Sequence, residues 1–310
     1  WGRYPIAPRE VLGILGSKVF AVEPFWAERL ETVLINIRLP RVLLACMVGC
    51  CLSAAGAAYQ GIFQNPMASP DILGASAGAA FGAALAILLR WPSPLITLSA
   101  FCFSLLTVGA VWLVSTRARG KRVLGLILSG IMVSSLLSAG TGFIKLVADP
   151  NDQLPAITYW LMGSLAGARL SDVAFAALPM ALGLIPLLLL RWRINVLTLG
   201  DDEARTMGVH VGRLRVIIVL CATLVTSAAV SVSGTIGWVG LVIPHLSRML
   251  LGNNYRHLMP ASMLFGALFL LLVDNLARNL LQTEITIGIL TAFIGAPFFL
   301  SLITRGEGHG

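Results

Sequence analysis

The charged residues that could carry out chemistry are few in this 310-residue chain, in which only 12% of the residues are charged. Asp274 and Arg278 stand out because they lie four residues apart inside an apolar run, on what would be one face of a helix. An ionisable residue in such a run is a functional candidate. A structural ion pair between the two is the alternative, and the residues by themselves favour it.

No catalytic or metal-binding pattern is present in the sequence. The five cysteines fall in apolar runs and are best interpreted as small buried hydrophobic residues. There is no HExxH motif and no Cys/His cluster, so the sequence predicts no metal site. The glycine-rich "GTIGWVG" (234–240) is followed by no lysine, and no G-x-x-x-x-G-K-[ST] motif occurs. We therefore expect no enzymatic activity and no cofactor in this chain.

The composition predicts an all-α integral membrane protein. Hydrophobic residues make up 57% of the chain and the mean hydropathy is +0.87, whereas soluble domains have about 25% charged residues. Uncharged runs of about 20 residues fit the bilayer core as helices. The net charge of +8 comes from basic residues in short loops between the runs. Such loops set the orientation of a membrane protein, and this explains the positive charge without nucleic acid. Membrane lipid is therefore an expected partner, and nucleic acid is not.

Gaps between the charged residues predict nine candidate spans: 39–63, 72–89, 95–115, 123–147, 171–190, 214–233, 241–250, 259–280 and 286–303. The run 241–250 is too short to cross a bilayer at about 1.5 Å per residue, and it holds Pro244. We expect a broken or half-depth helix there.

The basic loops predict which side each end of the chain occupies. "RARGKR" (117–122) and the loop 191–215 are rich in arginine and fall on one side, which is the cytoplasmic side by the positive-inside rule. The C-terminus would then be cytoplasmic, and 1–37 would form an outer-face segment. "APREVLGILG" within it predicts a short helix at the membrane interface. We expect ten spans in the full-length protein, the first of them absent before Trp1.

The stretch "FQNPMASPDILGASAGAAFG" (63–82) breaks a long apolar run with two prolines. Each proline disfavours helix in the preceding residue, so a corner is expected, with Asp71 as a cap for the next helix. A gate and an ordinary turn at the membrane surface are equally compatible with these residues. The glycines at 74, 78 and 82 share a helix face, which predicts close helix packing, with a translocation surface as the alternative.

The loop 191–215 contains "GDDEARTMGVHVGRLR", which predicts a short helix. Asp201 or Asp202 would cap its start and Gly208 would end it. A short amphipathic element between spans suits a docking site for a cytoplasmic partner, and a solvated connector is the alternative.

Six motifs occur in an order that resembles the permeases of iron-chelate, haem and vitamin B12 ABC importers, the type II importers. They are "RLPR" (38–41), "QNPMASPDILGASAGA" (64–79), "WLMGSLAG" (160–167), "LGDDEARTMGV" (199–209), "GTIGWVGLVIPHLSR" (234–248) and "GAPFFLSLITR" (295–305). The resemblance implies a single permease domain over 1–310, a homodimer with the pathway at its axis, two cytoplasmic ATPase subunits that hold ATP and Mg, and an extracytoplasmic substrate-binding protein. The expected location is a bacterial or archaeal cytoplasmic membrane.

The resemblance also implies roles for particular residues. The ATPase-coupling residues would be Gly200, Asp201, Asp202, Glu203, Ala204, Arg205, Met207, Gly208 and Val209. Docking of the binding protein would use Arg38, Arg41 and Arg278, so that the pairing of Arg278 with Asp274 becomes secondary. The gate and pathway residues would be Asn65, Pro66, Met67, Ala68, Ser69, Pro70, Gly74 and Gly78. The spans 72–89 and 123–147 would face the pathway.

The implied function is ATP-driven, alternating-access import of a metal chelate of the siderophore-iron, haem or cobalamin class. An oxyanion such as molybdate in the same architecture is the alternative, and an ion-coupled secondary transporter is a further one. The chain departs from the family at Glu284-Ile285-Thr286, where Glu-Leu-Pro is frequent, and this puts the start of the last helix in doubt by a residue or two.

Overall fold

The computed structural model describes residues 5–18, 20, 24–117 and 122–306, with the backbone alone for 122 and 302–306. Parts of the segment 1–37 and residues 118–121 of the basic loop therefore lie outside the described residues. Within the described ranges the secondary structure is helical, with no strand.

The helices follow the apolar runs closely. The amino-terminal half contains α1 (Pro8–Ser17), α2 (Glu28–Thr32), a π-helical turn (Val33–Arg38), α3 (Leu39–Phe63), a 3₁₀ turn (Pro70–Leu73), α4 (Ala75–Leu88), α5 (Ser93–Arg117) and α6 (Arg122–Val147). The remainder contains α7 (Gln153–Leu161), α8 (Leu170–Leu189), α9 (Arg191–Leu197), α10 (Asp201–Thr206), α11 (Val211–Ser233), α12 (Val239–Leu251), α13 (Tyr255–Asn279) and α14 (Ile287–Gly306).

Each of the nine predicted spans corresponds to a helix. Among the described residues, six helices are long and apolar enough to cross a membrane: Glu28–Phe63, Ser93–Arg117, Val123–Val147, Leu170–Leu189, Val211–Ser233 and Tyr255–Asn279. Three shorter apolar helices, Ala75–Leu88, Val239–Leu251 and Ile287–Ser301, account for the others. The short run around Pro244 is a 13-residue helix, as its length predicts.

The largest difference from the predicted boundaries lies before α3. The predicted span begins at residue 39, but the helix begins at Glu28 and reaches α3 through the π-helical turn. The charged residues at 28, 29 and 31 lower the hydropathy of this segment, so the predicted span did not include it. Leu30 and Leu34 are nevertheless buried. π-helical turns are often found at functional sites, and this one ends at Arg38 of the "RLPR" motif.

Helix α3 lies at the centre of the fold because small residues let its neighbours approach closely. A Cβ on Gly49 would collide with the Gly266 carbonyl of α13, and one on Gly56 would collide with the Gly240 carbonyl of α12. Backbones in such close contact are typical of membrane helices that pack through small residues. In the most apolar 18-residue stretch of the continuous helix Glu28–Phe63, 72% is buried inside the protein. The corresponding share for α6 is 17%. The core is therefore built around α3, and α6 lies at the outside of the single chain.

Candidate functional site

The corner after α3 is the non-helical segment that the prolines predict. Gln64 ends α3 in the left-handed conformation, at φ 49°. The side chain of Asn65 then closes a tight turn by accepting a hydrogen bond from the Met67 amide at 2.8 Å. Met67 is 48% exposed. The corner thus presents an exposed methionine beside a rigid turn.

The predicted cap at Asp71 is wrong. Helix α4 begins after Gly74, which has φ 78° and supplies no side-chain cap. Asp71 lies in the 3₁₀ turn and accepts a hydrogen bond from the Ser76 hydroxyl. The carboxylate fixes the entry into α4 without capping it.

The small residues of α4 pack against other helices, as the spacing of the glycines predicts. A Cβ on Gly78 would lie 2.7 Å from the Phe103 carbonyl, and one on Gly82 would lie 2.7 Å from the Ser99 carbonyl, both on α5. A Cβ on Gly74 would lie 2.6 Å from the Ser134 hydroxyl of α6. The glycine face therefore serves helix packing in the single chain.

The corner is held by glycines on two further helices. Pro70 packs on Gly240 at the start of α12, where a Cβ would lie 2.6 Å from the Pro70 ring. The Ile72 carbonyl packs on Gly130 of α6, where a Cβ would collide with it. Movement of α6 or α12 would therefore be transmitted directly to residues 70–72.

The predicted short helix in the loop 191–215 is α10, preceded by the separate helix α9. Gly200 occupies the cap position with φ 132°. At the other end Gly208 has φ 78°, and the amide of Val209 donates to the Ala204 carbonyl at 2.9 Å, which is the Schellman pattern. Gly208 thus ends the helix as the sequence predicts.

Asp201 anchors α10 to the bundle, a role that differs from the predicted cap. Its carboxylate accepts from Arg215 Nη2 at 2.9 Å, and the Arg215 side chain is 8% exposed. The second acid of the pair, Asp202, accepts from Arg205 at 2.8 Å in an ion pair that is mostly exposed. One face of α10 is therefore fixed to α11, and the other is open to a partner.

Side-chain hydrogen bonds connect the loop to the corner. Gln64 Nε2 donates to the Leu197 carbonyl of α9 at 2.8 Å. Asn195 of α9 accepts from the Tyr255 amide at 3.0 Å, and the Tyr255 hydroxyl donates to the Ala57 carbonyl of α3 at 3.0 Å. A displacement of α9 and α10 would consequently reach the end of α3 and the corner that follows it.

The three predicted docking arginines include two that form a charge cluster at the start of α3 and the end of α13. Arg41 donates to Asp274 at 2.8 Å and to Glu284 at 3.0 Å, and its side chain is only 6% exposed. Arg278 forms an ion pair with Asp274 at 3.1 Å, as the spacing of four predicts. Arg38 and Arg278 both line an apolar groove of about 1150 Å³ at this end. Arg41 thus already has two carboxylate partners within the chain.

A core of long apolar helices, a proline-broken corner and a short charged helix linked to it form the architecture of a multi-pass membrane protein. The FecCD transport family model matches residues 1–305, and the chain belongs to this family of ABC-importer permeases.

Similar proteins support the same assignment. A molybdate import system permease of Haemophilus influenzae is 41% identical over 98% of this chain and 90% of its own length. An iron chelatin transport permease of Helicobacter pylori is 44% identical over 90% of this chain and 84% of its own. A solved structure described as an inward-facing metal-chelate type ABC transporter has a TM-score of 0.85 and 39% identity, covering 96% of this chain and 100% of that one. Other relatives are named for cobalamin and hemin import.

Sequence reasoning missed the partners that position the predicted residues. Gln64, Arg215 and Glu284 were not singled out for these roles, because each meets a residue on another element. Gln64 could have been noticed because its side-chain amide directly precedes Asn65-Pro66. Arg215 could have been noticed because it is an arginine in an otherwise apolar run. Glu284 had none, because its partner Arg41 is 243 positions away.

Proposed function

We propose that this chain is the membrane-spanning subunit of a binding-protein-dependent ABC importer that moves a metal chelate of the siderophore-iron, haem or cobalamin class into the cytoplasm. The observation that carries the proposal is the connection from α10 through α9 to the corner. The hydrogen bond from Gln64 to the Leu197 carbonyl gives an external ATPase a direct route to the end of α3.

In this mechanism, ATP binding closes two ATPase subunits that hold α10 on the cytoplasmic side, and the C-terminus lies on that side too. A transporter shifts between states only through differential affinity, and here nucleotide binding on the ATPase supplies it. Residues 200–205 and 207–209 contact the ATPase, and residues 65–70 open and close the inner end of the pathway.

The pathway lies between two copies of the chain. Helix α6 supports this because 17% of its most apolar window is buried in the single chain, the lowest value among the six long helices. Its exposed surface includes Ser135, Ser138, Ala139 and Gly142 at spacings that share a face. A face with hydroxyls and small residues suits a large chelate that must pass without being held.

A molybdate oxyanion is the second candidate cargo. The relative named for molybdate import aligns with 98% of this chain, which favours it. The α6 face, which carries hydroxyls and no guanidinium, favours a bulky chelate instead. Equilibrium binding of a ferric siderophore, haemin, cyanocobalamin and molybdate to the substrate-binding protein that works with this permease decides between them, since that protein selects the cargo.

An ion-coupled mechanism is less compatible with the charges inside the spans. Coupled transport needs a carboxylate or other polar group that is open to an ion. Asp274 is fully buried and lies between Arg41 and Arg278. Its charge is therefore already compensated by protein side chains.

Substitution of the arginines at the outer face tests docking of the substrate-binding protein, and deletion of the short helix α10 tests assembly with the ATPase. We expect Arg38→Glu and Arg278→Glu to weaken docking of the substrate-binding protein, and deletion of 201–209 to abolish co-purification of the ATPase. Undiminished docking would contradict the first assignment, and an intact complex would contradict the second.

A further inference from the structure

The charge cluster around Arg41 contains one carboxylate that is fixed and one that is replaceable. Asp274 is fully buried on α13. Glu284 lies in the loop 280–286 with its side chain 36% exposed, and it accepts from Arg41 Nη1 at 3.0 and 3.2 Å. An acid from outside the chain can reach the position of Glu284 but not that of Asp274.

Arginines are concentrated at this end of the bundle. Three arginines, Arg38, Arg41 and Arg278, occur at this end of α3 and α13, together with the two carboxylates of Asp274 and Glu284. Guanidinium groups bind carboxylates in well-defined, often bidentate geometry. The surface therefore suits an acidic side chain, and Glu284 is its competitor.

The loop that carries Glu284 is connected to the start of α14. Ile285 donates its amide to the Ala277 carbonyl at 3.1 Å. The amide of Ile287 donates to the Gly163 carbonyl at 2.9 Å, and the amide of Gly288 donates to the Met162 carbonyl at 3.1 Å. Both acceptors lie directly after the end of α7. Release of Glu284 would loosen the loop at the point where α14 begins.

We propose that Glu284 is an internal substitute for a carboxylate of the docking partner. An incoming glutamate or aspartate takes its place on Arg41 Nη1 while Asp274 keeps Nε, and the loop 280–286 is released. Docking on the outer face thereby changes the restraint on α14. This inference rests on the docking role in the proposed function and adds an exchange of carboxylates to it.

Binding of a short oligoglutamate peptide to the chain in nanodiscs tests the competition. Glu284→Gln keeps the shape of the side chain and removes its charge, so we expect it to tighten peptide binding by roughly fivefold, as for one exposed ion pair. Glu28→Gln, at an exposed position of α2, removes the same charge away from Arg41 and should leave the affinity unchanged. Equal affinities for the two variants would overturn the proposal.

Hydrogen exchange at residues 285–288 tests the release. Saturating oligoglutamate should accelerate exchange in the wild-type chain, and Glu284→Gln should show the faster exchange without the peptide. Exchange that neither the peptide nor the substitution alters would also overturn the proposal. An importer that transports normally while both readouts stay unchanged would refute this inference alone and leave the proposed function standing.

Discussion

Asp274 shows how a charge is accommodated inside this apolar bundle. Its side chain is fully buried, and its two oxygens meet Arg41 at 2.8 Å and Arg278 at 3.1 Å. A buried ion pair adds little stability over an apolar core, but removal of one partner leaves an uncompensated charge. The cluster therefore fixes the end of α13 against the start of α3 rather than offering an ion site.

Asp274→Ala should be among the most destabilising substitutions in the chain. We expect a loss of about 3–5 kcal/mol because Arg41 loses its buried partner, measured as a lower midpoint of thermal unfolding in detergent. Glu284→Gln is the matched control, since its side chain is partly exposed and such pairs contribute at most about 1 kcal/mol. Equal shifts for the two variants would contradict the assignment of Asp274 as the fixed acid.

Three helices hold the corner that follows α3. Residues 64–74 are held by α9 through Gln64, by α12 through Gly240 and by α6 through Gly130. Irregular backbone at membrane depth is tolerated where protein or a wet cavity surrounds it. Residues 70–72 satisfy this condition by packing on Gly240 of α12 and Gly130 of α6, whereas residues 64–67 are exposed. The position of 70–72 therefore depends on α6 and α12.

Gly130→Ala should disturb the corner because the added methyl group would collide with the Ile72 carbonyl. Overpacking of this kind costs about 1–3 kcal/mol and should lower the thermal midpoint. Gly109→Ala on α5 is the control, because nothing lies within 4 Å of its Cβ position and the residue is outside the α6 face assigned to the pathway. If both variants unfolded at the same temperature as the wild type, the contact between α6 and the corner would be refuted.

Arg215→Gln should free α10 from α11. The Arg215 side chain is 8% exposed and holds Asp201, whereas the Arg205–Asp202 pair is open to water. We expect faster hydrogen exchange at 201–207 in Arg215→Gln and little change in Arg205→Gln. Indistinguishable exchange in the two variants would show that α10 is held by other contacts.

The elements were more predictable than the contacts between them. The span predicted at 39–63 coincides with Leu39–Phe63 because a hydropathy run is a local property. The helix at 28–38 was missed because its charges lie outside the apolar pattern. The Arg215–Asp201 and Arg41–Glu284 pairs were missed because their partners meet only in the folded chain, 14 and 243 positions apart.

The proposed assembly of two chains with ATPase and binding-protein partners uses the exposed face of α6 and the charged residues at the ends of the helices. Ser138 lies on the α6 face that we assign to the pathway. In this assignment the face meets its symmetry mate, and cargo passes between the two.

Ser138→Trp should block the pathway and abolish uptake without loss of folded protein, because the indole fills space that the cargo needs. Leu182→Trp on α8, at a position 58% exposed, is the control for the same bulk on a lipid-facing surface and should transport normally. Normal uptake by Ser138→Trp would place the pathway elsewhere.

We propose that ATP on a separate subunit drives import through this chain. Uptake of the selected cargo into proteoliposomes that contain the chain, the ATPase and the substrate-binding protein tests this mechanism. We expect accumulation that requires ATP and the ATPase and that persists when ionophores collapse the ion gradients. Uptake that proceeds without the ATPase and stops when the gradients collapse would contradict it.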